Sequence, residues 1–161
     1  MITLQSCTTE DDQIDVDNDT IAEVFEYNTN VNFTYGNGYS VELTFPYTIY
    51  TSDMVLVYRL TGTDAGTDVW KLLPETYYNN DGTLKFGYRN DFTNINAVVT
   101  LFGYDLPNLS NAYKLDQVFR VVVIPAYFGN KTDAGKLDFE DYNSVKEYYK
   151  LDTAKVTKIK M

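Results

Sequence analysis

The stretch Tyr77-Tyr78-Asn79-Asn80-Asp81-Gly82-Thr83-Leu84-Lys85-Phe86-Gly87-Tyr88 decides the fold. Two runs of strand-forming residues flank Asn79-Asn80-Asp81-Gly82, whose residue types accept positive φ or bond to their own backbone. That arrangement is a β-hairpin signal. The same pattern recurs outward in both directions. Residues 54–60 (MVLVYRL) are long and mostly apolar, the mark of a strand buried on both faces. A polar loop is expected over 61–68, then a strand over 69–73 that stops at Pro74. Residues 97–102 and 118–124 supply two more strands downstream. Upstream, 24–27 reads as a strand, and 31–35 and 40–45 alternate apolar and polar about Gly36-Asn37-Gly38, which predicts a second hairpin. Short strands bounded by Gly, Pro or Asn predict an all-β fold, an antiparallel β-sandwich of immunoglobulin-like or similar type.

One segment near the C-terminus breaks the two-residue period. Phe139, Tyr142, Val145, Tyr148 and Tyr149 fall at helical spacing, with Asp138, Glu140 and Asp141 early and Lys146 and Lys150 late. This polarity matches the helix dipole and predicts a short helix over 138–150. Residues 156–160 alternate again and predict an edge strand whose lysines discourage aggregation.

A chain of 161 residues suits a single domain that folds without disulfide or metal. Its aromatic content, 15 Tyr and 9 Phe against 1 Trp, favours half-buried sheet surfaces. The formal net charge is −10, yet residues 7–30 hold Glu10, Asp11, Asp12, Asp15, Asp17, Asp19, Glu23 and Glu26 and no base. Subtracting those 8 from 23 acids leaves 15 against 13 bases, a nearly neutral body behind an acidic leader. No basic patch offers a nucleic-acid partner. No stretch approaches the ~18–20 apolar residues of a membrane helix.

Cys7 is the only cysteine and follows Leu4-Gln5-Ser6. It cannot form an intramolecular disulfide, and a polar acidic run follows it. We read it as a lipid-attachment cysteine, with Leu4 and Ser6 in the positions that lipoprotein maturation requires. Residues 1–6 are then the remnant of a signal peptide, with Met1 inside the original leader. Residues 7–20 form a lipidated acidic tether too polar to fold alone, and 21–161 form the sandwich domain. Glu10, Asp11 and Asp12 resemble the acidic surface-export signal of Bacteroidota lipoproteins, which implies the outer face of the outer membrane.

Catalytic signals are few. The chain has no histidine, so Ser-His and Cys-His nucleophile systems and His-based zinc sites are absent. Asp15, Asp17 and Asp19 have the spacing of a calcium loop, but Thr20 occupies the place of its turn glycine. No metal or cofactor is expected. Glu75 and Asp81 remain the least unfavourable carboxylate pair for a hydrolase. Candidate ligand contacts are Trp70, Tyr77 and Tyr78, because exposed aromatic groups suit glycans and proteins.

Three stretches carry a family resemblance: 54–60 (MVLVYRL), 68–92 (DVWKLLPETYYNNDGTLKFGYRNDF) and 117–130 (QVFRVVVIPAYFGN). Through them the chain resembles a group of small surface lipoproteins of the Bacteroidota, flavobacteria in particular. Many of that group carry a collagen-like Gly-Pro tract between cysteine and domain, and this chain has the acidic tether there instead. The resemblance implies Cys7 as the anchor and assigns no other site. In glycosylating members of the phylum, Asp-Thr before an aliphatic residue accepts an O-glycan, which makes Thr20 a candidate and gives Asp152-Thr153-Ala154 the same pattern. The expected function is a non-catalytic, lipid-anchored surface protein, a binding or accessory subunit of an outer-membrane complex. The alternatives are a glycan-binding module and, less favoured, the carboxylate hydrolase.

Overall fold

The computed structural model describes residues 21–126, 136–151 and 155–161. Along them run β1 (Glu23–Tyr27), β2 (Ser40–Thr44), β3 (Met54–Asp64), β4 (Thr67–Leu72), β5 (Glu75–Tyr78), β6 (Leu84–Phe92), β7 (Asn96–Gly103), β8 (Phe119–Ile124), α1 (Tyr142–Tyr149) and β9 (Thr157–Ile159). The strands form a five-stranded sheet, ordered β4-β3-β8-β1-β9, and a four-stranded sheet, ordered β2-β7-β6-β5. The fold is an all-β sandwich with one short C-terminal helix. Strand pairs are antiparallel except β1 with β9, which is parallel. Among the described residues no helix is long and apolar enough to cross a membrane.

Period-two alternation sorts the side chains into two cores. Phe25, Tyr27, Val55, Val57, Phe119, Val121 and Val123 of the larger sheet meet Val41, Leu43, Phe86, Tyr88, Val99 and Leu101 of the smaller one. The intervening residues of the larger sheet, Val24, Tyr58, Trp70, Val122 and Ile124, pack instead under Tyr142, Val145 and Tyr149 of α1. Residues 54–60 therefore read as buried on both faces because they are: one face meets the other sheet, the other lies beneath the helix.

Several expected boundaries move. The hairpin about Gly36-Asn37-Gly38 does not form; Tyr35–Asn37 is a 3-10 turn and 31–34 is not a strand. Val31 and Phe33 are still buried, but their backbone bonds to the 114–117 segment (Phe33 N to Lys114 O, 2.7 Å; Gln117 N to Val31 O, 3.0 Å). Asn37 closes the turn by accepting from Thr34 N and donating to Asn32 O. The expected polar loop over 61–68 is mostly strand. Ala65 and Gly66, at φ 47° and 82°, make a two-residue hairpin whose flanking residues are exposed on both faces, so no alternation marks it. The helix starts at Tyr142, four residues later than expected, because the Asp141 carboxylate caps it by accepting from Asn143 N (3.0 Å) and Ser144 Oγ (2.6 Å). Glu23 and Glu26, counted with the acidic leader by composition, both belong to β1.

Candidate functional site

The smaller sheet places its hairpin of β5 and β6 at one end of the sandwich, and that end rests on a buried ionic frame. Strand alternation turns Arg59 of β3 inward, where apolar residues stand at Val55 and Val57. Its guanidinium grips Glu75 through two bonds (Nε to Oε2, 2.8 Å; NH2 to Oε1, 3.1 Å) and donates to Gln117 Oε1 at 3.0 Å. The same group lies 4.6 Å from the Tyr88 ring centroid. Burial, the largest single influence, would lower the Arg59 pKa, but the Glu75 hydrogen bond together with the charges and hydroxyls of Tyr88, Glu75 and Tyr77 outweighs it and raises the pKa. Arg59 also donates to the Tyr77 hydroxyl at 2.7 Å, and that hydroxyl donates to Glu75 Oε1. Burial, then the bond to Glu75, pushes the Tyr77 hydroxyl up to about 12. The Tyr77 ring stacks on Phe86 (4.4 Å, 14°) and Tyr113 tilts against both. Tyr77 is thus a half-buried support.

Around this frame stand tyrosines that face solvent. Tyr78 ends β5, Tyr104 follows the last residue of β7, and Tyr35 precedes the start of β2. Register puts all three at the same end of the smaller sheet, since Tyr78 is level with Leu84, Phe86 with Gly103 and Ser40 with Thr100. Their exposures are 61%, 93% and 85%. The turn beyond Tyr78 is closed by Asp81, whose carboxylate accepts from Thr83 Oγ1 (2.6 Å) and Thr83 N (2.9 Å). Those bonds hold Asp81 below the usual carboxylate range, the hydroxyl first. Close packing continues within the sheet: a Cβ on Gly87 would lie 2.6 Å from Glu75 O and from the Phe102 ring.

Glu75 and Asp81 do not converge. One is buried on Arg59, the other is exposed in the turn, and three strand steps of ~3.3 Å separate Glu75 from Tyr78 alone. Trp70 stands apart from Tyr77 and Tyr78, on the helix-covered face of the larger sheet. It is 9% exposed, Arg120 Cζ lies 4.1 Å over its ring and Tyr142 tilts against it at 5.8 Å. Arg120 is itself fixed by Glu26 (2.9 Å) and donates to the Tyr142 hydroxyl (3.2 Å). The indole face is therefore filled from within the protein. Cys7, Glu10, Asp11, Asp12 and Thr20 lie outside the described residues, as do Asp152-Thr153-Ala154. Among the described residues no group of three or more His, Cys, Asp or Glu could hold a metal.

The opposite end of the sandwich carries a cleft of about 530 Å³, which sequence reasoning missed. Ile21, Tyr47, Tyr50, Pro125, Lys150 and Lys155 are among its walls. It arises where the 45–53 connection passes from the smaller sheet to the larger, held by Ile49 N to Asn94 O and Phe45 N to Ile95 O, both 2.8 Å. Asp53, also in its wall, accepts from the Tyr50 and Ala126 amides (3.1 and 3.3 Å). The only signal for this site in the sequence was the pair of tyrosines at 47 and 50, which could have packed either way.

The class defined by these observations is a two-sheet β-sandwich with a helix over one face, exposed tyrosines at one end and a cleft at the other. No protein family, no curated protein and no solved structure matches the chain.

Proposed function

We propose that this chain is a non-catalytic surface protein, held at the outer membrane by lipid on Cys7, and that it works as a binding or accessory subunit through its tyrosine-bearing end. The observation that carries this reading is the gathering of Tyr35, Tyr78 and Tyr104 at one end, each more than half exposed, above a rigid frame of Arg59, Glu75 and Tyr77. A tyrosine offers a large amphipathic contact with few rotatable bonds, which suits recognition surfaces on stiff scaffolds. Anchoring raises the local concentration of that surface near membrane partners. A second reading, a glycan-binding module, draws on the same three tyrosines and loses Trp70, whose face Arg120 already covers.

The anchor is tested by replacing Cys7 with Ser and fractionating cells. Release from the membrane fraction is expected; unchanged retention would refute the anchor. The contact surface is tested with Tyr35→Ser/Tyr78→Ser/Tyr104→Ser. That variant should fold normally and lose either the protein cross-linked to the wild type in intact cells or binding on a glycan array. Which of the two is lost separates the two readings, and retention of both removes the surface from either role.

A further inference from the structure

The end of the sandwich around the cleft carries apolar groups that the described fold leaves about half exposed. Ile21, Tyr47, Tyr50, Phe92 and Ile95 are 62%, 47%, 52%, 50% and 50% exposed. They form one surface because the chain brings them there: 45–50 runs against 94–95, and Tyr47 is edge-on to Phe25 at 5.8 Å. Lys150 and Lys155 stand in the same cleft, and neither has an ion pair among the described residues. Among the described residues the acids at this end include Asp53, engaged by backbone amides, Glu23, which has a partner of its own, the exposed Asp91, and Glu42, which is level with Asp91 and accepts from Asn96 Nδ2 (2.8 Å) and Thr44 Oγ1 (3.3 Å).

We propose that this end seats on the headgroup layer of the bilayer, leaving Tyr35, Tyr78 and Tyr104 directed away from the membrane. The inference rests on the reading of Cys7 as the anchor. Cys7 lies 14 residues before Ile21 (21 − 7), a link that spans at most about 50 Å by any path. Ile21 is itself part of the apolar surface, so the link joins the described fold at this end; both ends lie within its reach, and the exposed apolar groups and lysines favour this one. The 9 residues of β6 run from Leu84, level with Tyr78, to Phe92 and extend for about 30 Å, so the two ends stand well apart. The composition fits the occupant. Tyrosine places an apolar body and a polar tip at the membrane–water interface, and lysine lays its stem on apolar surface with its ammonium among phosphates. A few such groups give only weak attachment alone, but a covalent lipid supplies the affinity and leaves them to set orientation.

The test couples the full chain through the Cys7 thiol to a maleimide-headgroup lipid in vesicles of phosphatidylethanolamine and phosphatidylglycerol. Hydroxyl-radical footprinting then compares it with the chain capped by N-ethylmaleimide in the presence of uncoupled vesicles. Tyr47, Tyr50 and Phe92 should oxidise about threefold or more slowly when coupled, as groups buried at the headgroup boundary do. Tyr35, Tyr78 and Tyr104 serve as internal controls and should not change. The variant Tyr50→Ser/Phe92→Thr/Ile95→Thr, confirmed folded by circular dichroism, should lose the protection at Tyr47. Equal oxidation in both preparations, equal protection at both ends, or protection that appears only when native outer-membrane proteins are added would each overturn the proposal, the last in favour of a protein partner. The coupling supplies the anchor chemically. Failure here alongside release of Cys7→Ser from cells therefore removes the docking face and leaves the anchor standing.

Discussion

Arg59 occupies a position that alternation assigns to the core, and its charge survives there because Glu75, Gln117, Tyr77 and the Tyr88 ring surround it. A buried ion pair of this kind is weak evidence for net stability, but removing one partner strands the other without water. Arg59→Met should destabilise the protein by about 3–5 kcal/mol, and Arg59→Met/Glu75→Leu by less than the single change. Urea denaturation of both variants measures this. A single variant within ~1 kcal/mol of wild type would show that solvent reaches Glu75. The Arg120–Glu26 pair is the outer-face counterpart: it fills the space over Trp70 and ties β1 and β8 to Tyr142.

At the scale of the element, α1 is only eight residues long, too short to persist in water without packing. It is held by Tyr142, Val145 and Tyr149 on the larger sheet and by its cap. Asp141→Ala should cost about 1 kcal/mol and lower the melting temperature by roughly 2–4 °C at neutral pH. The Ser144 hydroxyl, and then the backbone amides, hold the Asp141 carboxyl below its usual 3.8. A depressed folded pKa means that the cap contributes fully above 3.8 and fades as pH falls below it. Thermal melts of variant and wild type should therefore draw together as pH falls below 3.8, and a gap that stays constant would contradict the role of the charge. The start of this helix was legible only to within a turn, since Asp138 and Asp141 are both plausible caps by type and the packing of Tyr142 on Trp70 selects the second.

Across the whole molecule, the tyrosines that make the fold also limit it at high pH. Burial raises the hydroxyls of Tyr27, Tyr58 and Tyr88 above the usual range and Tyr77 to about 12, from an unfolded value of 10.0. Each raised pKa means that the folded state holds its proton longer than the unfolded one. The associated stability is intact below pH 10.0 and is lost as pH rises through the folded values. The urea midpoint should fall steadily from pH 10.0 to 12, and a flat midpoint across that range would mean these hydroxyls are free to ionise in place. The hydroxyls are held at fixed points that bind the layers: Tyr27 donates to Thr44 O, Tyr58 to Phe139 O and Tyr88 to Tyr113 O (2.7, 2.7 and 2.6 Å).

Read alone, the residues determined the two-layer β architecture, the hairpin of β5 and β6, the double burial of 54–60 and the presence of one helix. These follow from periodicity and turn chemistry, which are local. Tertiary structure decided which tyrosines face water, that Trp70 is covered, that Val31 and Phe33 enter the core without a strand, and that a cleft opens beside Ile21. The physical reason is that a tyrosine on an alternating strand is equally compatible with a core ending in a carbonyl acceptor and with a wet surface. Only the partner across the sheet, supplied by residues tens of positions away, distinguishes them.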